Sequence, residues 1–252
     1  MTNITSKKMS ITPPKILVGG PTADVKNYCA EDWVENVKKF IYPMDVDVFL
    51  ADNSEKAGNE KYLQSLGVDA ERVKFSLAEP IISRITKSHN LVRRKALEGG
   101  YDFLLHLESD IFPPPDVLLR LLAHRKAVVG VSYDIFDWQD REPVMLQLEE
   151  EYDGEPSGAI IRGKYNYMAY DGNLKQAWAN GIGCVLIHKS ILEQIEFRYD
   201  KDRDGFCDSW FAYDLRAKGI PMFVDTSMYA LHRNMDWRNF GDKFIAQVHT
   251  NY

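Results

Sequence analysis

The chain has 252 residues with 45% hydrophobic and 12% aromatic side chains, enough for one large domain or two small ones, and its formal net charge is −6. The acidic balance argues against a surface that coats nucleic acid. Three widely spaced cysteines without a C-x-x-C pair argue against a disulfide framework or a zinc site, and they favour a reducing compartment. Because we find no signal peptide and no apolar run of membrane-spanning length, we expect a cytoplasmic protein.

The first half of the chain alternates predicted strands and helices after a polar leader at residues 1–14. The strands are predicted at 15–22, 46–51, 73–77, 103–107 and 127–133, and the helices at 33–41, 60–66, 82–98 and 116–122. This alternation is typical of a mostly parallel sheet with right-handed crossovers. We therefore predict an α/β fold whose central sheet is flanked by helices.

Two carboxylates follow directly after the strand predicted at 103–107. The apolar run stops at Glu108-Ser109-Asp110, and three prolines then lead into a helix. Ligands of open α/β sheets bind beyond the carboxyl ends of the strands, so this acidic corner is a candidate site for a hard cation such as Mg2+ or Mn2+. Taken alone, an E-x-D after a strand is more often a helix cap or a turn.

Two other strand ends carry residues suited to a ligand. The first predicted strand ends in a Gly-Gly-Pro turn at 19–21, which would let the backbone approach a ligand, and the second ends in Asp-Asn-Ser at 52–54. Residues of the second kind form turns as readily as they bind a ribose or a base edge, so both interpretations stay open. The sequence contains neither a dinucleotide-binding fingerprint nor a phosphate loop.

The pattern changes after residue 133. Residues 134–180 are rich in Tyr, Trp, Asp and Gly, with short strand-like pieces at 144–148 and 158–162, which predicts a subdomain of hairpins and loops. Asp208 lies in the first turn of a later predicted helix, where the helix dipole favours a carboxylate, and this alone accounts for it. The remaining predicted elements are strands at 181–188 and 222–225, helices at 190–195 and 207–219, and an extended piece at 227–232.

The final segment, 236–252, is a candidate amphipathic helix with apolar residues that include Trp237 and Phe240. Such a helix is suited to cover a site, to pair two subunits in a homodimer or to lie on a membrane surface. We expect this helix to pack on its own domain.

Taken in order, these features resemble a GT-A-fold glycosyltransferase over residues 15–232. The resemblance rests on two strand ends, at Pro21-Thr22 and Asp52-Asn53-Ser54, and on a basic helix with His89-Asn90 and Arg93. It also rests on Glu108-Ser109-Asp110, in the place of the family's D-x-D, and on the late histidine His232. It implies a single Rossmann-like domain at 15–235, with a nucleotide-sugar-binding half at 15–133 and an acceptor half at 134–235. It also implies a metal-dependent enzyme, similar to hexosyltransferases, that moves a sugar from a nucleoside-diphosphate sugar to an acceptor hydroxyl.

The resemblance also implies residue roles. Asp110 would bind Mn2+ or Mg2+ with His232 as a further ligand, and Glu108 would touch the ribose or a metal-bound water. Asp208 would be the general base if the reaction inverts configuration, and it would orient the acceptor if the reaction retains it. The acceptor class stays open between a saccharide, a small molecule, a protein and a modified nucleic acid. The other positions expected to bind the nucleotide sugar are Pro21, Thr22, Asp52, Asn53, Asn90, Arg93 and Ser109.

Two alternatives use a similar scaffold. A sugar-1-phosphate nucleotidyltransferase would need a longer and more basic Gly-rich loop after its first strand than the Gly-Gly-Pro at 19–21. A non-catalytic nucleotide-sugar-binding protein would be expected to lack the metal carboxylates, whereas Glu108, Asp110 and Asp208 are all present together with His232.

Overall fold

The computed structural model describes residues 12–133, 146–148, 171–202 and 206–233. The piece predicted at 158–162, most of the leader and the segment at 236–252 lie outside these residues. The elements in chain order are β1 (Ile16–Thr22), a 3-10 helix (Asp24–Lys26), α1 (Ala30–Lys38), β2 (Asp47–Asp52), α2 (Asn59–Ser65), β3 (Asp69–Arg72), α3 (Ile81–Glu98), β4 (Phe103–Leu107), β5 (Ile111–Phe112), α4 (Val117–Ala123), β6 (Val128–Ser132), β7 (Leu146–Leu148), β8 (Leu174–Asn180), β9 (Cys184–His188), α5 (Lys189–Leu192), α6 (Cys207–Ala217), β10 (Met222–Tyr229) and β11 (Leu231–His232).

Nine of these strands form one sheet in the order β3-β2-β1-β4-β9-β6-β10-β8-β7. Every antiparallel pair in this sheet includes β8 or β9, so the other seven strands all point the same way. The predicted α/β fold with a mostly parallel central sheet is therefore confirmed. The sheet is continuous across both predicted halves of the domain.

Helices cover both faces of the sheet, because successive residues of its central strands are buried on opposite sides. On β1, Val18 packs in the same apolar cluster as Trp33 of α1, whereas Leu17 packs in the cluster that contains Val92 of α3. Helices α1, α2 and α4 lie on the first face, and α3, α5 and α6 on the second. Such two-sided burial explains why these strands are nearly continuous apolar runs. Among the described helices, none is long and apolar enough to cross a bilayer.

The third strand lies at Asp69–Arg72 and not at the predicted 73–77. It is an edge strand that pairs with β2, and of its four residues Ala70 alone is buried. A solvent-facing edge strand needs no apolar run, and charged residues there discourage pairing with other chains. The apolar pattern at 73–77 therefore pointed to the wrong residues.

The Gly-Gly-Pro segment is part of β1 and is not a turn after it. A Cβ on Gly20 would lie 2.1 Å from the carbonyl oxygen of Leu107 on β4, and one on Gly19 would lie 2.5 Å from the carbonyl oxygen of Phe49 on β2. Glycine is required here because three strands approach closely, and this requirement produced the turn-like sequence. The close approach sets the end of β1 beside the acidic corner.

We expect Gly20→Ala to lower the free energy of unfolding by about 1–3 kcal/mol, because the added methyl group would overlap the backbone of Leu107. Urea denaturation followed by circular dichroism measures this change. Ile41→Ala, at a side chain that is 56% exposed, is the control and should stay within about 0.5 kcal/mol of the wild type. A Gly20 variant as stable as the wild type would contradict the close approach.

Candidate active site

A cavity of about 440 Å³ opens at the carboxyl ends of the parallel strands. Residues at the ends of β1, β2, β4 and β6 line it, together with the first turn of α6 and the end of β11. This is the edge at which α/β sheets usually bind ligands. Eight of the predicted site residues lie in its wall, namely Pro21, Thr22, Asn53, Glu108, Ser109, Asp110, Asp208 and His232.

Asp110 is buried in the acidic corner, with 2% of its surface exposed. Its Oδ2 accepts a hydrogen bond from Nζ of Lys26 and lies 3.3 Å from Nε2 of His232. Strands β5 and β11 pair so that His232 is opposite Ile111, and the backbone N–H of Arg233 donates to the carbonyl oxygen of Asp110 at 2.8 Å. This two-stranded ribbon brings the late histidine to the acidic corner.

Three carboxylates share the cavity. Burial, and then the charges of Asp110 and Asp208, raise the pKa of Glu108 to about 7, and burial also raises the pKa of Asp208. Burial acts in the same direction on Asp110, but its contacts with His232 and Lys26 outweigh it and hold the pKa of Asp110 below the ordinary value. Three carboxyl groups thus share the cavity with one ammonium group, that of Lys26, and this arrangement is suited to a further cation.

A divalent cation fits this donor set. A carboxylate oxygen of Asp110 and an imidazole nitrogen of His232 that lie 3.3 Å apart can both ligate one ion, and both are ligand types that Mn2+ accepts. Within the described ranges, no group of three His, Cys, Asp or Glu side chains forms a cage from protein alone. Coordination positions are thus left for water and ligand oxygens, which is how Mg2+ is usually held beside phosphates.

Two other residues of the wall, Lys26 and Tyr133, were missed by the sequence analysis. Lys26 ends the 3-10 helix that follows β1. The hydroxyl of Tyr133 accepts a hydrogen bond of 3.0 Å from the N–H of Gly183, and its ring lies edge-on to that of His232 with centroids 5.3 Å apart. Both residues come shortly after a parallel strand ends, and that position was the signal that could have identified them.

Residues predicted to bind the nucleotide sugar form the opposite side of the cavity. The hydroxyl of Ser109 donates to that of Thr22 at 2.9 Å, and Nδ2 of Asn53 donates to the hydroxyl of Ser88 on α3 at 3.1 Å. The first bond ties the end of β4 to the end of β1, and the second ties the end of β2 to α3. This side of the cavity is therefore held in one arrangement before any ligand binds.

Three predicted site residues do not line the cavity. Asp52 is fully buried beneath the turn after β2, where its Oδ1 accepts hydrogen bonds from Ser54. The side chain of Asn90 bonds both the N–H and the carbonyl group of Phe197, and Nε of Arg93 donates to the last carbonyl group of α5 at 2.6 Å. In this structure Asn90 and Arg93 fasten the chain after β9 to α3.

No protein-family model matches the sequence, and no curated protein does. Solved structures do match. GalNAc-T7 with UDP, GalNAc and Mn2+ gives a TM-score of 0.60 at 13% identity, over 87% of this chain and 44% of that one. S. aureus TarS 1-349 gives 0.52 at 17% identity over 86% and 60% of the two chains, and its complex with UDP-GlcNAc gives 0.50 at 15% identity over 87% and 59%.

These structural neighbours are GT-A glycosyltransferases. This chain has the GT-A fold. At such low identities the likeness concerns the fold and not the reaction. The chain spans 44–60% of the length of these GT-A neighbours.

Two buried histidines lie at the cavity of this GT-A domain, and one of them, His89, is part of its wall. Nδ1 of His106 is 2.6 Å from the carbonyl oxygen of Ile182, and because a carbonyl only accepts, His106 donates there. Nδ1 of His89 is 2.7 Å from Nε2 of His106, which has no proton in that tautomer, so His89 is the donor. Burial lowers the pKa of His106 to about 4, and burial next to His106 lowers that of His89 well below its ordinary value. Both rings are therefore neutral at pH 7.

The pKa of His106 predicts a loss of stability in acid. An unfolded chain protonates this histidine near pH 6.5 and the folded protein does so only near pH 4, so the free energy of unfolding falls by about 3 kcal/mol across that interval on its account. The raised pKa of Glu108 acts in the opposite direction. The readout is therefore the difference between the wild type and His106→Gln, measured by urea denaturation at several pH values.

This difference should shrink by about 3 kcal/mol between pH 7 and pH 4. Ile41→Ala, which removes no titratable group at a side chain that is 56% exposed, is the control, and its difference from the wild type should stay constant within about 0.5 kcal/mol. A constant difference for His106→Gln would contradict a neutral buried pair.

Proposed function

We propose that the protein is a metal-dependent glycosyltransferase that moves a hexosyl unit from a nucleoside-diphosphate sugar to a hydroxyl group of an acceptor. The main support is one cavity in a GT-A fold, where the carboxylates of Glu108, Asp110 and Asp208 lie with the ammonium group of Lys26 and the imidazole of His232. Two structural neighbours support the donor class, since one contains UDP, GalNAc and Mn2+ and another contains UDP-GlcNAc.

Donor binding would use both sides of the cavity. Pro21, Thr22 and Asn53 would contact the nucleoside on the side that is tied to α3. Asp110 and His232 would hold Mn2+ or Mg2+, which when bound supplies Lewis-acid stabilisation of the charge on the departing diphosphate. Lys26 adds a second positive charge beside Asp110, and an ammonium group at that place favours phosphate oxygens. Ser109 would support the contact of Thr22 with the nucleoside, because its hydroxyl donates a hydrogen bond to that of Thr22.

Asp208 would remove the proton from the acceptor hydroxyl in an inverting reaction. Its carboxylate accepts hydrogen bonds from its own backbone N–H and from that of Ile182, which fix its position at the start of α6. Because burial raises its pKa, Asp208 is a stronger base than an ordinary aspartate. In a retaining reaction Asp208 would orient the acceptor. Glu108 would contact the ribose or a metal-bound water.

We also propose a cytoplasmic location, which the thiols support. Cys29, Cys184 and Cys207 are all free and buried. Burial, followed by the charge of Asp110, raises the pKa of Cys29 to about 12, so this thiol is unreactive. Unpaired thiols are typical of a reducing compartment.

Metal-dependent donor binding tests the assignment of Asp110. In a thermal-shift panel of UDP, GDP and ADP sugars, one donor should raise the Tm of the wild type with Mn2+ and not with EDTA. Asp110→Asn should abolish this shift, because it removes the charged ligand of the cation. Asp116→Asn, at a side chain that is 45% exposed at the start of α4, is the control and should behave like the wild type. A wild type without any metal-dependent nucleotide shift would contradict the proposed function.

Turnover tests the role of Asp208. Asp208→Asn should lower kcat by about 10²–10⁴-fold in an inverting reaction, while isothermal titration gives a donor affinity close to that of the wild type. The acid limb of the wild-type rate should have a pKa above 3.8, because burial raises the pKa of Asp208. Asp202→Asn, at an exposed aspartate, is the control. Undiminished turnover in Asp208→Asn would exclude Asp208 as the base, and the anomeric configuration of the product shows whether the reaction inverts.

A further inference from the structure

His89 is part of the cavity wall, and the side of the wall that it forms is called the back wall here. It is on α3, one turn after Ile85, and both residues line the cavity although only 1% of the surface of His89 is exposed. Its neighbour Ser88 holds Asn53 on the nucleoside side. The ring of Phe197, which does not line the cavity, packs against His89 with the two ring centroids 5.2 Å apart. A ligand that fills the cavity therefore passes in front of this imidazole.

The chain of hydrogen bonds behind His89 fixes its tautomer. The carbonyl oxygen of Ile182 takes the proton of His106 Nδ1, so Nε2 of His106 accepts the proton of His89 Nδ1. Nε2 of His89 is then left with a lone pair and no proton. Among the described residues, no protein group donates a hydrogen bond to that nitrogen. Because His89 lines the cavity, a donor on a ligand can reach this nitrogen.

We propose that Nε2 of His89 binds a hydroxyl group of the nucleotide sugar, and that His106 is the positioning residue that keeps this nitrogen unprotonated. The proposal rests on the function proposed above. A neutral imidazole nitrogen with a lone pair accepts and does not donate, so it attracts a hydroxyl group and repels the oxygens of phosphate or carbonyl groups. His89 therefore directs the hydroxyl-bearing ribose or transferred sugar to the back wall and excludes the diphosphate from it.

Two substitutions at His89 separate ligand binding from the support of His106. In His89→Asn, the amide can still donate to Nε2 of His106, but the side chain is too short to reach the cavity. His89→Gln has the opposite effect, because its longer amide brings an oxygen to the place of Nε2 and leaves His106 without its donor. Cooperative thermal melting of both variants shows that each is folded.

Isothermal titration with Mn2+ present measures the contact. For the nucleotide sugar chosen in the thermal-shift panel, His89→Asn should bind about tenfold more weakly than the wild type, and His89→Gln should bind less than about threefold more weakly. The matching nucleoside diphosphate locates the hydroxyl group, since an equal loss assigns it to the ribose and no loss assigns it to the transferred sugar. Unchanged affinity in His89→Asn, or an equal loss in both variants, would overturn the proposal.

The tautomer is measured without any ligand. Nitrogen-15 NMR of histidine-labelled protein should show Nε2 of His89 unprotonated and Nδ1 of His106 protonated, and nucleotide sugar should move the Nε2 signal of His89 towards the protonated value. A proton on Nε2 of His89 in the free protein would overturn the proposal. A wild type that binds no nucleotide sugar would overturn the proposed function as well, whereas full binding in His89→Asn would overturn the role of His89 alone.

Discussion

Three carboxylates in one buried cavity repel one another, and the surrounding chain limits this cost with fixed partners. Asp110 is bonded to Lys26 and lies 3.3 Å from His232, and Asp208 accepts backbone N–H groups at the start of α6. For Glu108, burial and repulsion dominate and raise its pKa to about 7. Repulsion among buried charges of one sign destabilises the ligand-free protein. A ligand that brings positive charge relieves this repulsion and therefore binds more tightly.

Backbone pairing delivers each of these partners from a different part of the chain. The β5–β11 ribbon sets His232 beside Asp110, and the close approach of β1 to β4 at Gly20 sets the turn that carries Lys26 at the same corner. Asp208 is held through Ile182, which immediately precedes the glycine before β9. The geometry of the cavity thus depends on strand register, and the side chains of the cavity are carried by rigid elements.

The acidic corner was predictable because the apolar run of β4 stops abruptly at Glu108, a local signal that needs no tertiary information. The contacts of Asn90 and Arg93 in this structure were not predictable in this way. Polar residues on the helix before the corner can bind a ligand or hydrogen-bond to buried backbone groups equally well. In this structure they bond to the backbone of Phe197 and to the last carbonyl group of α5. The position of the edge strand β3 was predicted wrongly for a related reason. Apolar periodicity indicates burial, and an edge strand has few buried residues. The tautomer of His89 depends on a carbonyl group distant in sequence, which no local pattern encodes.

Strand β9 lies between β4 and β6 and runs opposite to both. Its start supplies the carbonyl oxygen that accepts from the N–H of Glu108 at 3.0 Å, so it completes the acidic corner as well as the sheet. On the ribosome, β4 and β6 emerge well before the strand that joins them. Until residues 184–188 have been synthesised, β4 lacks a partner on one edge and β6 lacks both of its partners, since β10 follows later still; unpaired edges of this kind associate with other chains. The nascent chain therefore has to keep those edges from other chains until β9 and then β10 pair with them.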